Sequence, residues 1–594
     1  MNDPQTRLNL LGLVSTWMIL LASASAVAAP IDLPEDSNGW TIFSPSADSR
    51  ICYVSADGDN QNALVYSPSD AAIGDDPFNP AGAIVAFSTY AEAYANTREG
   101  YPDWILLKRG DVFEFVIGSD IRSGREPDEP FFVGAYGSSG LCPLVKTGSG
   151  QGLSARNAQY FAFSGIDFYA HTRDPDSPDY VDGSGASGLR FVTGSGETIT
   201  GVLFEGCKFR FYQNNSIQIY QGDFVGDIDI RRCLFADNYS ESSHSQGLYT
   251  HGVNGITLEE NIFIHNGWYT QSINGDNDQS GGQATMFNHN TYFSGSTNVT
   301  FRQNMFIEGA SSGNKFTAAT DVENLVLDNN LYIGGEVGIS MGGNYPDNDQ
   351  RFNTITISNN VLTDVGMSRP TNRTLSWYFW FQGWSGGQVD NNYLLHQQLD
   401  ANGNTVAMLI SDDHRNVTYT NNIVCGLIGG IGLYVNTSDV SGMVFANNTI
   451  QIPTGSDYTI QALYSTLGAW TFSDNRYFSD RVVGSRFRLE NEDRTLEQWQ
   501  SETGDNSPFS QFSFPDPTRD IAGYQAHVGE TATMEAFIAA CRSQDRFHWD
   551  GRYATDTVND WIKAGFRESG PDNDDDNGNS DGDSGSSGCF ISLF

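Results

Sequence analysis

A phrase that recurs along the chain, in which a short alternating strand is followed by an asparagine and a second short strand, constrains the fold most. The asparagine recurs at Asn261, Asn304, Asn330, Asn360, Asn392, Asn422, Asn448 and Asn475. Successive copies lie 26 to 43 residues apart, within or near the range of solenoid repeats. Two earlier copies carry Cys207 and Cys233 at this place, which we interpret as small buried hydrophobic residues. Because one coil cannot bury its apolar face alone, neighbouring coils must supply the core, and the repeat predicts a solenoid of short β-strands.

Alternation with a period of two sorts the strand residues into inward and outward sets. Two positions after the repeated asparagine, aromatic residues are expected to stack inside the coils: Phe209, Phe235, Phe263, Phe306 and Tyr332. Two positions before it, the outward residue alternates in charge: Glu205, Arg231, Glu259, Arg302 and Asp328. Opposite charges on adjacent strands form ion pairs, so we interpret this second row as a surface charge ladder.

The asparagine repeats, together with a further strand after a variable loop, such as GLYTHG at residues 247–252, resemble the PbH1 repeats of pectate-lyase-type proteins. In that fold the strand after the long loop is the first strand of the next coil. The resemblance covers roughly residues 156–480. It implies an all-β fold, a right-handed parallel β-helix solenoid, with the asparagine ladder in the short turn between the second and third strands. In the polysaccharide lyases of this fold, substrate lies along the first strand, between long loops.

The rest of the chain divides by composition. Residues 1–28 read as a signal peptide, with an apolar run at 10–21 and a small-residue cleavage site at Ala26-Val27-Ala28, which predicts a secreted or cell-surface protein. The remaining predicted units are an N-terminal cap with the first coils at 29–155, the repeats at 156–480, a small, partly helical C-terminal cap at 481–566, an acidic Gly/Ser linker at 567–588, and a sorting or lipidation tail at 589–594. That tail suggests attachment to a membrane or cell surface, and we expect a monomer.

Net charge narrows the range of partners. The formal charge is −40, and no basic patch offers the clustered Lys and Arg that nucleic acid requires. Nucleic acid is therefore excluded as an expected partner, while an extracellular polysaccharide fits export. An acidic surface also repels polyanions, which favours a neutral glycan. Seven cysteines leave at least one unpaired, and Cys52 and Cys142 are candidates for a bridge.

The first strand of each coil carries the candidate site. With Leu248 and Thr250 inward, Tyr249 and His251 point outward, and Phe316 inward places Lys315 outward. By the same alternation Gln218 and Tyr220 face out, and His289 or its neighbour Asn288 falls beside His251, depending on register. These side chains predict a groove within about four coils, some 15 to 20 Å long at sheet spacing.

Two long loops feed these strands, and long loops on a regular scaffold commonly carry function. The loop at 269–283 holds Asp276 and Asp278, whose carboxylates are candidate Ca²⁺ ligands. The loop at 366–374 adds Arg369 and Arg373 as candidate substrate-binding cations. Beyond it, Trp377, Trp380 and Trp384 could stack on sugar rings, or could equally fill the core, since Phe379 and Phe381 alternate inward.

Three functions are compatible with this groove. The first is a polysaccharide lyase that cleaves a uronate-containing glycan by β-elimination, with Lys315 or His251 as base, Tyr249 as acid, and Lys315, Arg369 or Ca²⁺ neutralising the carboxylate. The second is a glycoside hydrolase on the same fold, which needs two carboxylates flanking the bond; the stripe shows none near Tyr249, and Asp412 and Asp413 lie several coils away. The third is a non-catalytic adhesin or glycan-binding solenoid.

Overall fold

The structure is a computed structural model that describes residues 29–567, except 118–120, 151, 221–223, 241–242, 270–284, 319–320, 343–351, 369, 372, 398–403, 453–456 and 512. The predicted signal peptide and the tail at 589–594 lie outside the described residues, as do Asp276, Asp278 and Arg369. None of the helices in the described ranges has the length and apolar character needed to cross a membrane.

The described chain winds into a parallel β-solenoid of about 12 turns. Strands of the largest sheet are β1 (Ile51–Val54), β2 (Val65–Tyr66), β3 (Trp104–Lys108), β5 (Phe131–Tyr136), β7 (Leu153–Ala155), β8 (Ala158–Ser164), β10 (Leu189–Val192), β11 (Thr198–Glu205), β13 (Asn215–Tyr220), β14 (Phe224–Arg231), β16 (Gln246–His251), β17 (Asn254–Glu259), β19 (His289–Ser294), β20 (Thr297–Arg302), β22 (Ser312–Thr317), β23 (Val322–Asp328), β25 (Val337–Met341), β26 (Phe352–Ser358), β28 (Ser376–Asp390), β30 (Thr405–Thr420), β32 (Gly430–Asn436), β33 (Val440–Ser441), β34 (Met443–Ala446), β36 (Ile460–Ala462), β37 (Trp470–Ser473), β39 (Phe487–Leu489) and β40 (Glu492–Arg494).

A second sheet holds the short strands β4 (Val112–Glu114), β6 (Leu144–Lys146), β9 (Asp167–Tyr169), β12 (Lys208–Arg210), β15 (Leu234–Ala236), β18 (Ile262–Ile264), β21 (Met305–Ile307), β24 (Leu331–Ile333), β27 (Val361–Thr363), β29 (Tyr393–Leu395), β31 (Ile423–Cys425), β35 (Thr449–Ile452) and β38 (Arg476–Ser479). A typical coil contributes one strand to each of three faces. The first face contains β13, β16, β19, β22 and β25, the second contains β14, β17, β20, β23 and β26, and the third is the second sheet. The long strands β28 and β30 run through both the first and the second face.

The predicted aromatic stack fills the core behind the third face. Phe209, Phe235, Phe263, Phe306 and Tyr332 are paired strand to strand in one register. Their ring centroids are 4.5 to 5.1 Å apart within each successive stacked pair. This confirms the inward assignment, because each ring lies over its neighbour in the next coil.

The asparagine ladder lies in the turn between the second and third faces. Asn304 shows the pattern: its Nδ2 donates to Leu258 O at 2.8 Å and to Asn330 Oδ1 at 3.0 Å, and its backbone N–H donates to the same Oδ1 at 2.9 Å. The sharp backbone bend belongs to the residue before each ladder asparagine, as at Gln303 (φ 54°) and Asn329 (φ 52°). The ladder side chain therefore satisfies the polar backbone groups that this left-handed residue turns inward.

The predicted charge ladder on the second face is confirmed in register. Glu205, Arg231, Glu259, Arg302 and Asp328 are successive strand partners. The ion pairs Arg231–Glu259 and Arg302–Glu259 measure 3.5 and 3.3 Å. Glu205 differs from the surface expectation because it is fully buried and forms an ion pair with Arg546 of the C-terminal segment.

The helical C-terminal part is confirmed, and its helices occupy two places. The helices of the described chain are α1 (Tyr90–Ala95), α2 (Leu496–Thr503), α3 (Ile521–His527), α4 (Met534–Ser543) and α5 (Thr555–Ala564). Helix α2 closes the core at the end of the solenoid, where Trp499 stacks on Phe487 with centroids 4.6 Å apart. Helices α3 to α5 lie along the third face, because its outward residues, such as Ile262 and Met305, are apolar and need cover.

The cysteine expectation is corrected in part. Cys52 and Cys142 are both buried free thiols, as are Cys207, Cys233, Cys425 and Cys541. The interpretation of Cys207 and Cys233 as buried small residues is confirmed. Cys52 faces the core from β1, so it is held by packing and not by a bridge to Cys142.

Candidate functional site

A groove of about 800 Å³ runs along the outside of the first face, from β13 to β28. Its described lining residues include seven of the predicted site residues: Gln218, Tyr220, Tyr249, His289, Lys315, Arg373 and Trp380. Residues that the sequence did not single out also line it, among them Gln246, Phe287, Tyr292, Ser340 and Gln382. The structure therefore brings most of the predicted stripe together on one surface.

Strand pairing places the floor of the groove in a single row. The row reads Gln218, Tyr249, Tyr292, Lys315, Ser340 and Trp380, each the strand partner of the next. Tyr220 pairs with His251 in a parallel row, and their ring centroids are 5.9 Å apart. His251 is thus at the edge of the groove, beside Tyr220.

The predicted neighbour of His251 was wrong in register. Ser294, not His289 or Asn288, pairs with His251. His289 lies at the opposite end of its strand, where it pairs with Gln246 and lines the groove. Consequently Tyr292 takes the central place on the row, between Tyr249 and Lys315.

Lys315 is the cation at the centre of the groove. Its Nζ donates to Ser340 Oγ at 3.0 Å and to Gly342 O at 2.6 Å, and it lies 5.3 Å from the centroid of the Trp380 ring. Burial lowers the pKa of the Lys315 ammonium to about 8. A lysine in this state exchanges a proton near neutral pH, which is the property that a general base requires.

His289 lies in the same cluster as a neutral imidazole. Burial lowers the pKa of His289 well below its ordinary value, and the charges of Lys315 and Arg373 add to the effect. Its Nδ1 is buried and has no hydrogen-bond partner among the described residues. Its ring centroid lies 5.7 Å from that of Tyr292, so a buried imidazole nitrogen and a phenol ring are neighbours in the groove.

Two tyrosines of the row, Tyr292 and then Tyr249, follow Lys315, and Tyr220 of the parallel row packs beside them. The ring centroids of Tyr220 and Tyr249 are 5.3 Å apart, as are those of Tyr249 and Tyr292. Burial raises the pKa of Tyr249, and neighbouring Tyr220 adds to the rise. Tyr249 therefore keeps its proton and can donate it.

Arg373 reaches the groove from the loop before β28. Its Nε donates to Glu336 Oε2 at 2.8 Å, and its Nη2 donates to Ser311 Oγ at 2.6 Å. Glu336 is fully buried. Burial raises the pKa of Glu336, and Arg373 opposes that rise. The Arg373 side chain is 28% exposed and lines the groove, where a substrate anion can approach it.

The described groove lining contains no Asp or Glu. Glu336 lies behind Arg373, and Asp412 lies at the far end, where it accepts a hydrogen bond from Gln382 at 3.0 Å. Asp413 is buried and pairs with Arg415 at 2.9 Å. A pair of carboxylates facing one sugar bond is therefore not found among the described lining residues.

The predicted calcium site stays a prediction, and the predicted sugar stacking is corrected in part. No cluster of three His, Cys, Asp or Glu side chains suited to a metal occurs in the described ranges. The predicted Ca²⁺ ligands Asp276 and Asp278 lie outside the described residues. Trp380 lines the groove, but Trp384 is fully buried in the core and cannot stack on a sugar.

Comparison with known proteins gives structural similarity alone. No family model and no curated protein sequence matches the chain. Similar solved structures include a rhamnogalacturonan lyase (13% identity, TM-score 0.34, covering 72% of this chain and 87% of that one). A mannuronic acid specific polysaccharide family 6 lyase from human gut microbiota is 13% identical, with a TM-score of 0.34, and the match covers 79% of this chain and 95% of that one. The GH136 lacto-N-biosidase of Eubacterium ramulus is 11% identical, with a TM-score of 0.32, and the match covers 78% of this chain and 67% of that one.

These similarities bear on neither the reaction nor the substrate of this chain. The resemblance to pectate-lyase-type parallel β-helix proteins is confirmed at the level of fold. Three parallel strands per coil and an asparagine ladder between the second and third strands carry that conclusion.

Proposed function

We propose that this protein is a polysaccharide lyase that cleaves a uronate-containing glycan by β-elimination. One observation carries the proposal: on a chain with a net charge of −40, the described groove lining has two cations and no carboxylate. A groove lining with positive charge on an otherwise acidic protein is suited to a negatively charged ligand.

Elimination needs a base, a proton donor and a cation beside the uronate carboxylate. Arg373 pairs with the carboxylate and makes the proton on C5 more acidic. The neutral amine of Lys315 takes that proton, the electron pair forms the C4–C5 double bond, and the bond from C4 to the glycosidic oxygen breaks. A tyrosine phenol, Tyr292 or Tyr249, protonates the departing oxygen. Proton return from the Lys315 ammonium to the tyrosinate restores the site.

Hydrolysis is less well supported, because it needs two carboxylates about 5 to 9.5 Å apart across the scissile bond. The described groove residues supply none, and Asp412 and Asp413 are used in other contacts. Simple glycan binding without catalysis would need neither the lowered pKa of Lys315 nor a row of tyrosines.

The predicted signal peptide at residues 1–28 supports export, so we infer that the reaction takes place outside the cell.

The test is incubation of the purified mature protein with polyuronates, glycosaminoglycans and neutral glycans, with and without Ca²⁺. Ultraviolet absorbance detects unsaturated uronate ends, and a parallel assay counts reducing ends. We expect absorbance to rise with a uronate polymer and to fall about 10²- to 10⁴-fold in Lys315→Ala, the usual contribution of a general base. Lys146→Ala, which alters a lysine on the third face, is the matched control and should keep full activity.

Reducing ends without absorbance would replace the lyase by a hydrolase. Retained glycan binding without either signal would make the protein a binding solenoid. Full activity of Lys315→Ala would remove this lysine from the chemistry, whatever the reaction.

A further inference from the structure

The cations that the structure describes in the groove are few and lie in one part of it. Lys315 and Arg373 are the only Lys or Arg side chains in the described lining. Arg373 is already paired with the buried carboxylate of Glu336, so that pair has no net charge. None of the ion pairs formed by described residues involves Lys315. Among the described residues, the centre of the groove therefore holds about one uncompensated positive charge, that of Lys315 in its ammonium form.

The groove is long compared with this charge. Its floor crosses six strands, from β13 to β28, and at sheet spacing five intervals span about 24 Å. That length takes several sugar residues in extended conformation. In a polymer made only of uronates, each of those residues would bring a carboxylate into the groove.

Uncharged side chains occupy the other positions of the floor. The row from Gln218 through Tyr249 to Tyr292 has no charge. The next cation on this row is the exposed Arg190, the strand partner of Gln218. It lies four strand intervals, or about 19 Å, from Lys315.

The opposite end of the groove disfavours a carboxylate. Gln382 closes that end and donates to Asp412 at 3.0 Å. Asp412 is exposed, so a uronate placed there would face another negative charge. A carboxylate without a cationic partner in the groove loses part of its hydration and gains nothing in return.

An aromatic surface on the rim suits sugars without charge. Phe287 is half exposed (51%) and stacks on His244, with centroids 4.8 Å apart and planes at 20°. The side chain of Gln246 donates from Nε2 to Phe287 O at 2.8 Å and so fixes this rim to the groove floor. A fixed, exposed ring offers the apolar face of a neutral sugar a flat partner.

We infer that the groove accepts a glycan in which uronates alternate with uncharged sugars, with one carboxylate at Arg373, beside Lys315, and neutral sugars on either side. This inference rests on the proposed function and specifies its substrate class. A homopolymer of uronic acid fits the same groove less well, since most of its carboxylates find no cation.

The experiment measures cleavage and binding on the same four polymers. Rhamnogalacturonan backbone and heparosan alternate uronate with neutral sugar, whereas polygalacturonate and polymannuronate are homopolymers. Cleavage is followed by ultraviolet absorbance, and binding by retardation of the protein in gels that contain each polymer. We expect at least one alternating polymer to exceed both homopolymers tenfold or more in kcat/KM and to retard the protein more strongly.

Equal or faster cleavage of a homopolymer overturns the inference and leaves the lyase standing. Selective retardation by alternating polymers without cleavage of any polymer supports the inference on substrate class and overturns the lyase. No cleavage and no selective retardation overturn both.

A gain-of-charge variant tests the physical cause. Gln218→Lys adds a cation to the neutral stretch, and Gln218→Met is its uncharged control of similar size. The preference is the ratio of kcat/KM for the alternating polymer to that for the homopolymers. We expect Gln218→Lys to lower this ratio at least threefold and Gln218→Met to leave it unchanged. An unchanged preference in Gln218→Lys would contradict the charge argument.

Discussion

Replacing Asn330 by alanine tests whether the asparagine ladder holds the coils together. Asn330 Oδ1 accepts hydrogen bonds from the backbone N–H and from Nδ2 of Asn304, at 2.9 and 3.0 Å. Its own Nδ2 donates to Phe301 O and to Asn360 Oδ1, both at 3.0 Å. The alanine variant removes all four bonds from a fully buried position.

The expected loss follows from the groups left without partners. Two donors of Asn304 lose their acceptor in a place that water does not reach, and each unsatisfied buried group costs about 1 to 3 kcal/mol. We therefore expect Asn330→Ala to lower the free energy of unfolding by roughly 2 to 6 kcal/mol. Guanidinium unfolding followed by circular dichroism measures this difference.

Two further variants make the test specific. Asn298→Gly removes exposed hydrogen bonds to Asn254 and Asn324 from a residue at φ 52°. Water replaces those bonds and glycine accepts that φ, so we expect a loss below about 1 kcal/mol. Cys233→Asn should instead gain roughly 1 kcal/mol, because the N–H of Cys207 now donates to sulfur at 3.4 Å. A loss under about 1 kcal/mol in Asn330→Ala would refute the argument.

Three predictions concern the groove. If Lys315 is the base, its amine must be neutral to accept a proton. We therefore expect kcat/KM to rise tenfold per pH unit below about pH 8 and to level off above it. A pH profile that is flat between about 6 and about 8.5 would show that Lys315 is not the base. Tyr292→Phe should reduce kcat more than Tyr249→Phe, because Tyr292 is the strand partner of Lys315 and Tyr249 lies one strand further away; steady-state rates decide the order. Glu336→Gln should lower KM for a uronate polymer several-fold, since Arg373 loses its counter-charge, and an unchanged KM would show that Arg373 does not meet the substrate.

The floor of the groove could be predicted from the sequence wherever a strand carries its own apolar markers. Ile217 and Ile219 fix Gln218 outward, and Phe316 fixes Lys315, without knowledge of any other strand. The same rule failed on β19, because its inward residue at position 291 is threonine. In the segment FNHNTYF the apolar residue before Phe293 is Phe287, which is half exposed and so is a misleading marker. His289 was therefore assigned the position beside His251 that Ser294 occupies, and Tyr292 was missed.

Contacts between distant segments could not be predicted in this way. The pairing of Arg373 with Glu336 joins a loop to a buried position 37 residues earlier, and nothing in local alternation indicates it. The place of helices α3 to α5 was also missed, although β18 and β21 are apolar on both faces. A strand without polar residues on its outer side indicates that another element covers it.

The interior behind the groove explains why the catalytic candidates hold one position. Next to Tyr292 and Lys315 on their strands, the inward residues are Thr291 and Asn314, and Asn314 Nδ2 donates to Thr291 Oγ1 at 2.9 Å. Tyr332 donates from β24 on the third face to Asn314 Oδ1. These buried polar groups of β19, β22 and β24 are hydrogen-bonded to one another in this register. A slip of one residue would break these bonds, expose Phe316 and bury Lys315. The geometry of Lys315 and Tyr292 is thus fixed by the core and does not depend on bound substrate, which is the arrangement that electrostatic catalysis requires.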